Sequence, residues 1–213
     1  MKQNELFPVM MEDVEREMVE KYLKPDHTML EYGSGGSTLY FSQLVKEYVS
    51  VEHNAEWHKR IREHVGDNCN LKLVENTFSN YNIDSVFWKN LAPNSRIDWS
   101  SLMSGDYYKL FKKYIEFPFS VGKKYDRILI DGRARPECAK HIYDLIDDDA
   151  VVFIHDFYKE SYDEKGKHLR EGGRPHYHIV LEKYKLIDSI ETLAVMVKPG
   201  GFLKRGKNGI IDP

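Results

Sequence analysis

The sequence has little of what marks a secreted, membrane-spanning or nucleic-acid-binding protein. Its 213 residues include two cysteines, Cys69 and Cys138, and neither belongs to a CxxC pair. Two isolated thiols cannot build a disulfide framework, so they read as ordinary reduced cysteines of a cytoplasmic protein. No apolar run approaches the ~18 residues of a membrane span, and stretches such as Ala150 to Ile154 are short. A signal-peptide pattern is absent as well: Leu6 to Met11 is apolar, but Pro8 interrupts it and Glu12 and Asp13 follow at once. There is no basic excess either. Lys and Arg number 31 against 34 Asp and Glu, a formal net charge of −3. That balance argues against a dedicated nucleic-acid binder and still allows one local basic patch. Neither an internal repeat nor a low-complexity segment is present.

What is present is an ordinary globular composition, 41% hydrophobic and 31% charged. The length suits one domain over residues 1–213, with room for an insertion. A chain of this size hides roughly 70% of its unfolded surface.

Short apolar segments alternate with amphipathic ones, the pattern of a parallel α/β sheet. A helix is predicted over Val9 to Leu23, with Met10, Val14, Met18 and Tyr22 on one face, and Pro25 ends it. Strands are predicted at Thr28–Tyr32, Tyr48–Glu52, Leu71–Val74, Tyr125–Ile130 and Ala150–Ile154. Helices are predicted between them at Ser37–Lys46, Ala55–Val65, Asp106–Glu116 and Pro136–Ile146. Lys159 to Arg174 reads as a mobile polar loop, and His176 to Glu182 as a short helix. Tyr184–Ile190 and Leu193–Val197 are close enough to pair as an antiparallel edge. The expected fold is a Rossmann-like, doubly wound sheet of mostly parallel strands closed by a C-terminal antiparallel hairpin. From about residue 78 to 120 the alternation stops and aromatic residues dominate, from Phe78 and Tyr81 through Trp99, Phe111 and Phe119.

In doubly wound sheets, ligands bind outside the carboxyl ends of the strands. The chemistry-bearing residues fall there: Glu31 to Thr38, Glu52, Glu75 with Asn76, Asp131 with Gly132, and His155 with Asp156. In Glu31-Tyr32-Gly33-Ser34-Gly35-Gly36-Ser37-Thr38, glycine after a strand permits a tight turn and close approach of a ligand to the backbone. The dinucleotide fingerprint wants a third glycine where Thr38 stands, and an acidic Glu31 suits a cationic ligand better than a pyrophosphate. Glu52 ends the second strand about 20 residues after the first glycine, the spacing of a carboxylate that accepts both ribose hydroxyls.

Glu31, the glycine turn, Glu52 and the terminal hairpin together resemble the class I S-adenosylmethionine-dependent methyltransferases, over roughly Thr28 to Pro199. The resemblance implies S-adenosylmethionine as cofactor, with its amino-acid part held by Glu31, Gly33, Ser34, Gly35, Ser37 and Thr38. It places the ribose on Glu52, the adenine near Glu75 or Asn76, and Asp131 at the edge of the cofactor site. It implies catalytic roles for Asp131, His155 and Asp156. Some O-methyltransferases of this fold hold a divalent metal between those two strand ends. Asp131 and Asp156, with or without His155, match the positions used, and hard carboxylate oxygens suit Mg²⁺ or Mn²⁺. An imidazole at His155 equally suits general-base work. The blander reading makes Asp131 a helix cap and His155 a core residue.

The sequence after the fourth strand is Asp131-Gly132-Arg133, not the Asn/Asp-Pro-Pro-aromatic motif of base-methylating enzymes. The run LEYGSGGST, VSVEH, ILIDGRARP and FIHDFY is closer to small sugar- and glycan-modifying O-methyltransferases. It has a fainter likeness to the methyltransferase domain of a chlorovirus glycan-building enzyme. The expected acceptor is thus a small molecule or glycan, a deoxyhexose such as rhamnose among them; no membrane or nucleic-acid partner is expected. The aromatic segment reads as a lid with flat faces for a sugar ring or as a packed subdomain. The basic residues Lys109, Lys112, Lys113, Lys123, Lys124, Arg133 and Arg135 read as a solvated face or as an anion contact. Two rivals stay open: an NAD-dependent oxidoreductase, and a binding module without catalysis.

Overall fold

The computed structural model describes residues 7–75, 98–120, 122–162, 168–171 and 177–200. The five apolar runs become parallel strands: β1 (Thr28–Tyr32), β2 (Glu47–Glu52), β3 (Cys69–Leu73), β4 (Arg127–Ile130) and β5 (Val151–Ile154). A short pair, β6 (Lys159–Tyr162) and β7 (His168–Glu171), follows, then β8 (Lys185–Ile190) and β9 (Leu193–Val197). The main sheet has the order β3-β2-β1-β4-β5-β9-β8, with β9 antiparallel to both of its neighbours. The fold class is the one expected from sequence. The terminal hairpin does more than close an edge, since its second strand lies against β5.

Alternation along the strands sends side chains to two faces. Leu30, Tyr32, Val49, Val51, Ile128 and Ile130 pack on one side against Phe111, Tyr114 and Ile115 of α4 (Asp106–Ser120) and Cys138, Ala139 and Ile142 of α5 (Arg135–Tyr143). Met29, Tyr48, Leu129 and Phe153 pack on the other against Val19 of α1 (Asp13–Glu20) and Phe41 of α2 (Gly36–Phe41). Ile61 of α3 (Ala55–Arg62) joins Phe7 and Leu39 beside them.

Two sequence expectations change. The first helix begins at Asp13 and not at Val9; its buried residues are Glu15 and Val19, and Tyr22 is buried just past its end. Met10, predicted to face the core, is 78% exposed, and Val14 is exposed too. The polar stretch after residue 158, expected as a loop, contains the antiparallel β6–β7 pair. The aromatic segment is described from residue 98 onward; Phe78, Tyr81, Phe87 and Trp88 lie outside the described residues. Within the described part, Tyr107, Phe111 and Tyr114 are buried core residues, with Tyr114 set edge-on to Tyr32 and His53. They act there as packing and not as a lid. No helix among the described residues is long and apolar enough to cross a membrane.

Candidate active site

β1 and β4 are neighbours, yet the chain leaves them toward opposite edges of the sheet: from β1 to β2, and from β4 to β5. That divergence opens a crevice at their carboxyl ends. Gly33 and Gly132 meet across it. Gly33 has φ +92°, and a Cβ there would lie 2.6 Å from the Gly132 Cα. Any side chain at Gly33 pushes the two turns apart, which explains this glycine better than general flexibility does. Gly35 is open, since its nearest neighbour would be the Ser37 hydroxyl at 3.8 Å. Space for a ligand against the backbone therefore exists at Gly35.

Register places Glu31 beside Ser50 of β2. Both point to the face covered by α2. The Glu31 carboxylate accepts hydrogen bonds from Ser37 (2.5 Å), Thr38 (2.5 Å) and Ser50 (2.7 Å). Thr38 in turn accepts the Gly35 N–H at 2.9 Å. Glu31 is fully buried, and burial pushes its carboxyl up to about 7 despite the hydroxyls that favour its anion. This gives Glu31, Ser37 and Thr38, expected at the cofactor, a structural part in the turn. Their side-chain polar groups are turned toward one another beneath the turn, where they hold its shape.

Glu52 is buried at the end of β2. Its Oε1 accepts the His53 and Asn54 N–H groups at 2.8 and 2.7 Å, and its Oε2 accepts the Ser34 N–H at 3.0 Å. Burial would raise this carboxyl, but His53 and the Ser34 and Asn54 amides outweigh it and hold the group below its ordinary range. A carboxylate has about four acceptor positions. One position on Oε2 is left, so Glu52 offers a ribose one hydrogen bond where the sequence suggested two. Ser34 is fixed by the Ser50 hydroxyl at 2.7 Å and by Trp57, whose indole donates to the Ser34 carbonyl at 2.5 Å. Glu75 is exposed beyond β3, and Asn76 lies outside the described residues.

The β4 and β5 ends bring together the other predicted residues. Ligand atoms of Asp131, His155 and Asp156 lie within 4.8 Å of one another. A fourth residue, missed in the sequence, completes the group. His155 Nδ1 is 2.8 Å from Asp131 Oδ1, and its Nε2 is 3.2 Å from Glu15 Oε2. Glu15 is 2% exposed and also accepts the Thr192 N–H (2.8 Å), the Thr192 hydroxyl (2.7 Å) and the Glu12 N–H (3.0 Å). Thr192 sits in the β8–β9 turn, so the hairpin buttresses the site. Burial opposes charge on both partners, yet hydrogen bonding prevails: with His155 and Thr192 at Glu15, and with Asp131 first and Glu15 second at His155. Glu15 is lowered to about 2 and His155 is raised to about 10. His155 is an imidazolium at neutral pH with both nitrogens engaged. It has no free lone pair for the general-base role the sequence suggested. Asp131 keeps its Oδ2 free of partners among the described residues, and Asp156, 38% exposed at its side chain, is the most open of the set.

The group does not fit the expected Mg²⁺ or Mn²⁺. Arg135 already spans the two carboxylates, with one terminal nitrogen 3.3 Å from Asp131 Oδ1 and 3.0 Å from Asp156 Oδ2. His155 cannot turn a nitrogen to a metal without leaving Asp131 or Glu15. The other basic residues expected to meet an anion are partly spoken for: Lys123 pairs with Glu47, and Lys124 with Asp147 at 2.7 Å.

The signal for Glu15 was present but faint. It lies four residues before Val19 and seven before Tyr22, on the helical stripe that turns inward.

No known family profile matches the sequence, and no curated protein matches it. Solved structures do. A methyltransferase-like protein from Silicibacter pomeroyi superposes with a TM-score of 0.54 at 20% identity, over 90% of this chain and 88% of its own. A TehB-like SAM-dependent methyltransferase from Corynebacterium glutamicum gives 0.47 at 11% identity, over 87% of each chain. A precorrin 8w decarboxylase from Methanobacterium thermoautotrophicum gives 0.47 at 11%, over 92% of this chain and 95% of its own. Of these three the first alone bears on architecture, and at its identity it shows the shared fold.

Proposed function

We propose that the chain is an S-adenosylmethionine-dependent methyltransferase acting on a hydroxyl, with a sugar as its favoured acceptor. One observation carries the cofactor reading: the Gly33 turn, Glu52 and Asp131 converge on the crevice beside β1 in a sheet ordered β3-β2-β1-β4-β5-β9-β8. The antiparallel β9 beside β5 favours this reading over a nicotinamide-dependent oxidoreductase, whose doubly wound sheet is built from two parallel halves. Fold alone does not assign chemistry, so the site residues must bear the rest.

The residues present fit the cofactor. Gly35 leaves room against the backbone, Glu52 Oε2 retains one acceptor position for a ribose hydroxyl, and Asp131 borders the same crevice. When bound, S-adenosylmethionine supplies a methyl group activated by its sulfonium. Asp131 Oδ2 accepts a hydrogen bond from the acceptor hydroxyl and receives its proton as transfer proceeds. The His155 imidazolium holds Oδ1 and thereby aims Oδ2. Orientation of this kind supplies much of the rate in a displacement between two bound groups. Asp156, more open to solvent, hydrogen-bonds the acceptor from the other side. The lack of a base-methylating motif and the near-neutral charge support a hydroxyl acceptor; the aromatic residues Phe78, Tyr81, Phe87 and Trp88 of the sequence, and not those buried in α4, support a sugar ring.

The test offers labelled S-adenosylmethionine with rhamnosides, hexosides, catechols and RNA. Label on a glycoside is the expected outcome. Label on catechol or RNA alone overturns the sugar acceptor and leaves the methyltransferase; no label on any class, with no cofactor binding, overturns both.

A further inference from the structure

Arg135 opens α5 directly behind Ala134, whose φ is +53°. Its side chain is only 11% exposed. It donates from Nε to the Gly132 carbonyl at 3.0 Å, from one terminal nitrogen to the His155 carbonyl, and from the other to the Asp131 carbonyl at 3.4 Å, that second nitrogen also pairing with Asp131 Oδ1 and Asp156 Oδ2. A Tyr177 ring lies 6.0 Å from its guanidinium carbon. The fork thus touches the β4 turn, the β5 turn and both carboxylates at once. A lysine, with one point charge, cannot make that set of contacts.

We infer that Arg135 is the resident cation of this site, a positioning residue that holds Asp131 and Asp156 together where a divalent ion would otherwise sit, and that the enzyme is metal-independent because of it. The charges agree. The guanidinium of Arg135 lies between the Asp131 and Asp156 carboxylates, within ion-pair distance of both. A divalent ion entering this group meets a guanidinium already placed against both of its carboxylate ligands. Removing Arg135 leaves the two carboxylates converging without the cation set between them, an arrangement that suits a hard metal. The part Arg135 plays in turnover rests on the methyltransferase reading; its exclusion of metal does not.

The experiment titrates Mn²⁺ into the full chain and follows the free-ion signal by electron paramagnetic resonance, for wild type, Arg135→Lys and Arg135→Gln. Wild type and the lysine variant are expected to leave Mn²⁺ free. The glutamine variant is expected to take up one equivalent, displaced by Mg²⁺ and lost again on adding Asp156→Asn. A structural role alone gives no such gain. In turnover, Arg135→Gln without metal is expected to lose on the order of 10²-fold in kcat at unchanged KM for the cofactor, and EDTA is expected to leave wild type unaffected. One equivalent of Mn²⁺ on wild type, abolished by Asp156→Asn, overturns the inference, and that arm decides even if the glutamine variant does not fold. A folded Arg135→Gln that binds no Mn²⁺ overturns it as well. Metal results as expected, with no cofactor binding in any variant, leave the resident cation standing and count against the methyltransferase reading.

Discussion

Glu31 and Glu15 are both buried carboxyl groups under the same face of the sheet, and their acidities are shifted in opposite directions. Glu31, at the β1 end, is surrounded by three neutral hydroxyls, and burial raises it to about 7. Glu15, beside the β5 end, faces the His155 imidazolium and falls to about 2. The difference divides the site in two. The β1–β2 half is shaped by hydroxyls and amides and makes a cradle. The β4–β5 half is an ion-pair network, and it holds the carboxylates that the proposed chemistry uses.

The largest effect is expected in the ionic half. Asp131→Asn should lower turnover by ~10²–10⁴-fold, the usual range for a positioned acid or base, with S-adenosylhomocysteine affinity retained by calorimetry. Equal losses of affinity and turnover would move Asp131 from the chemistry to the cradle.

Glu15→Ala should follow, costing ~3–5 kcal/mol of stability by denaturant titration, because it leaves His155 charged beneath the fold with one partner gone. The pair also sets pH limits. Glu15, lowered from 4.5 to about 2, contributes stability that is present above pH 4.5 and is lost as pH falls toward 2. His155, raised from 6.5 to about 10, contributes stability that is complete below pH 6.5 and is lost as pH rises through 10. His155→Gln should flatten the alkaline limb. An unchanged alkaline limb in that variant would deny the imidazolium its place.

The two halves were also unequally legible in the sequence. The cradle is local: Glu31, Gly33 and Thr38 lie in one run, and Ser50 and Glu52 end the next strand. A reader of the chain meets them together, although which way Glu31 points depends on α2 folding over it. The ionic half is assembled from distant segments. Glu15 is 140 residues from His155 and 177 from Thr192. A glutamate within a helix reads as solvent-facing, and Met10 and Val14 offered a more hydrophobic face that the extended Glu12 backbone at the start of the helix puts outside. Arg135 looked like part of a charge run, because nothing in its neighbours states that Asp156 returns beside it. Strand identities, by contrast, follow from runs such as VVFI and LAVMV, which suit β-structure and are buried wherever they pair.

Smaller effects belong to the cradle. Gly33→Ala should destabilise by ~1–3 kcal/mol, the scale of a strained backbone position, and should weaken S-adenosylhomocysteine by spreading the two turns. Glu31→Gln should change stability at pH 7 by less than ~1 kcal/mol, because hydroxyls can turn to serve an amide. It should also remove a slope. Glu31, raised from 4.5 to about 7, contributes stability that is complete below pH 4.5 and lost as pH rises through 7. A Glu31→Gln loss as large as that of Glu15→Ala would erase the distinction between the halves.

The most direct measurement is calorimetric titration of wild type and Glu52→Gln with S-adenosylhomocysteine and, separately, with NAD. Wild type should bind one equivalent of S-adenosylhomocysteine and no NAD, and a folded Glu52→Gln should bind it roughly tenfold more weakly, about one charge-assisted hydrogen bond. Binding of NAD in place of S-adenosylhomocysteine, or an affinity indifferent to Glu52, would contradict the assignment of this crevice.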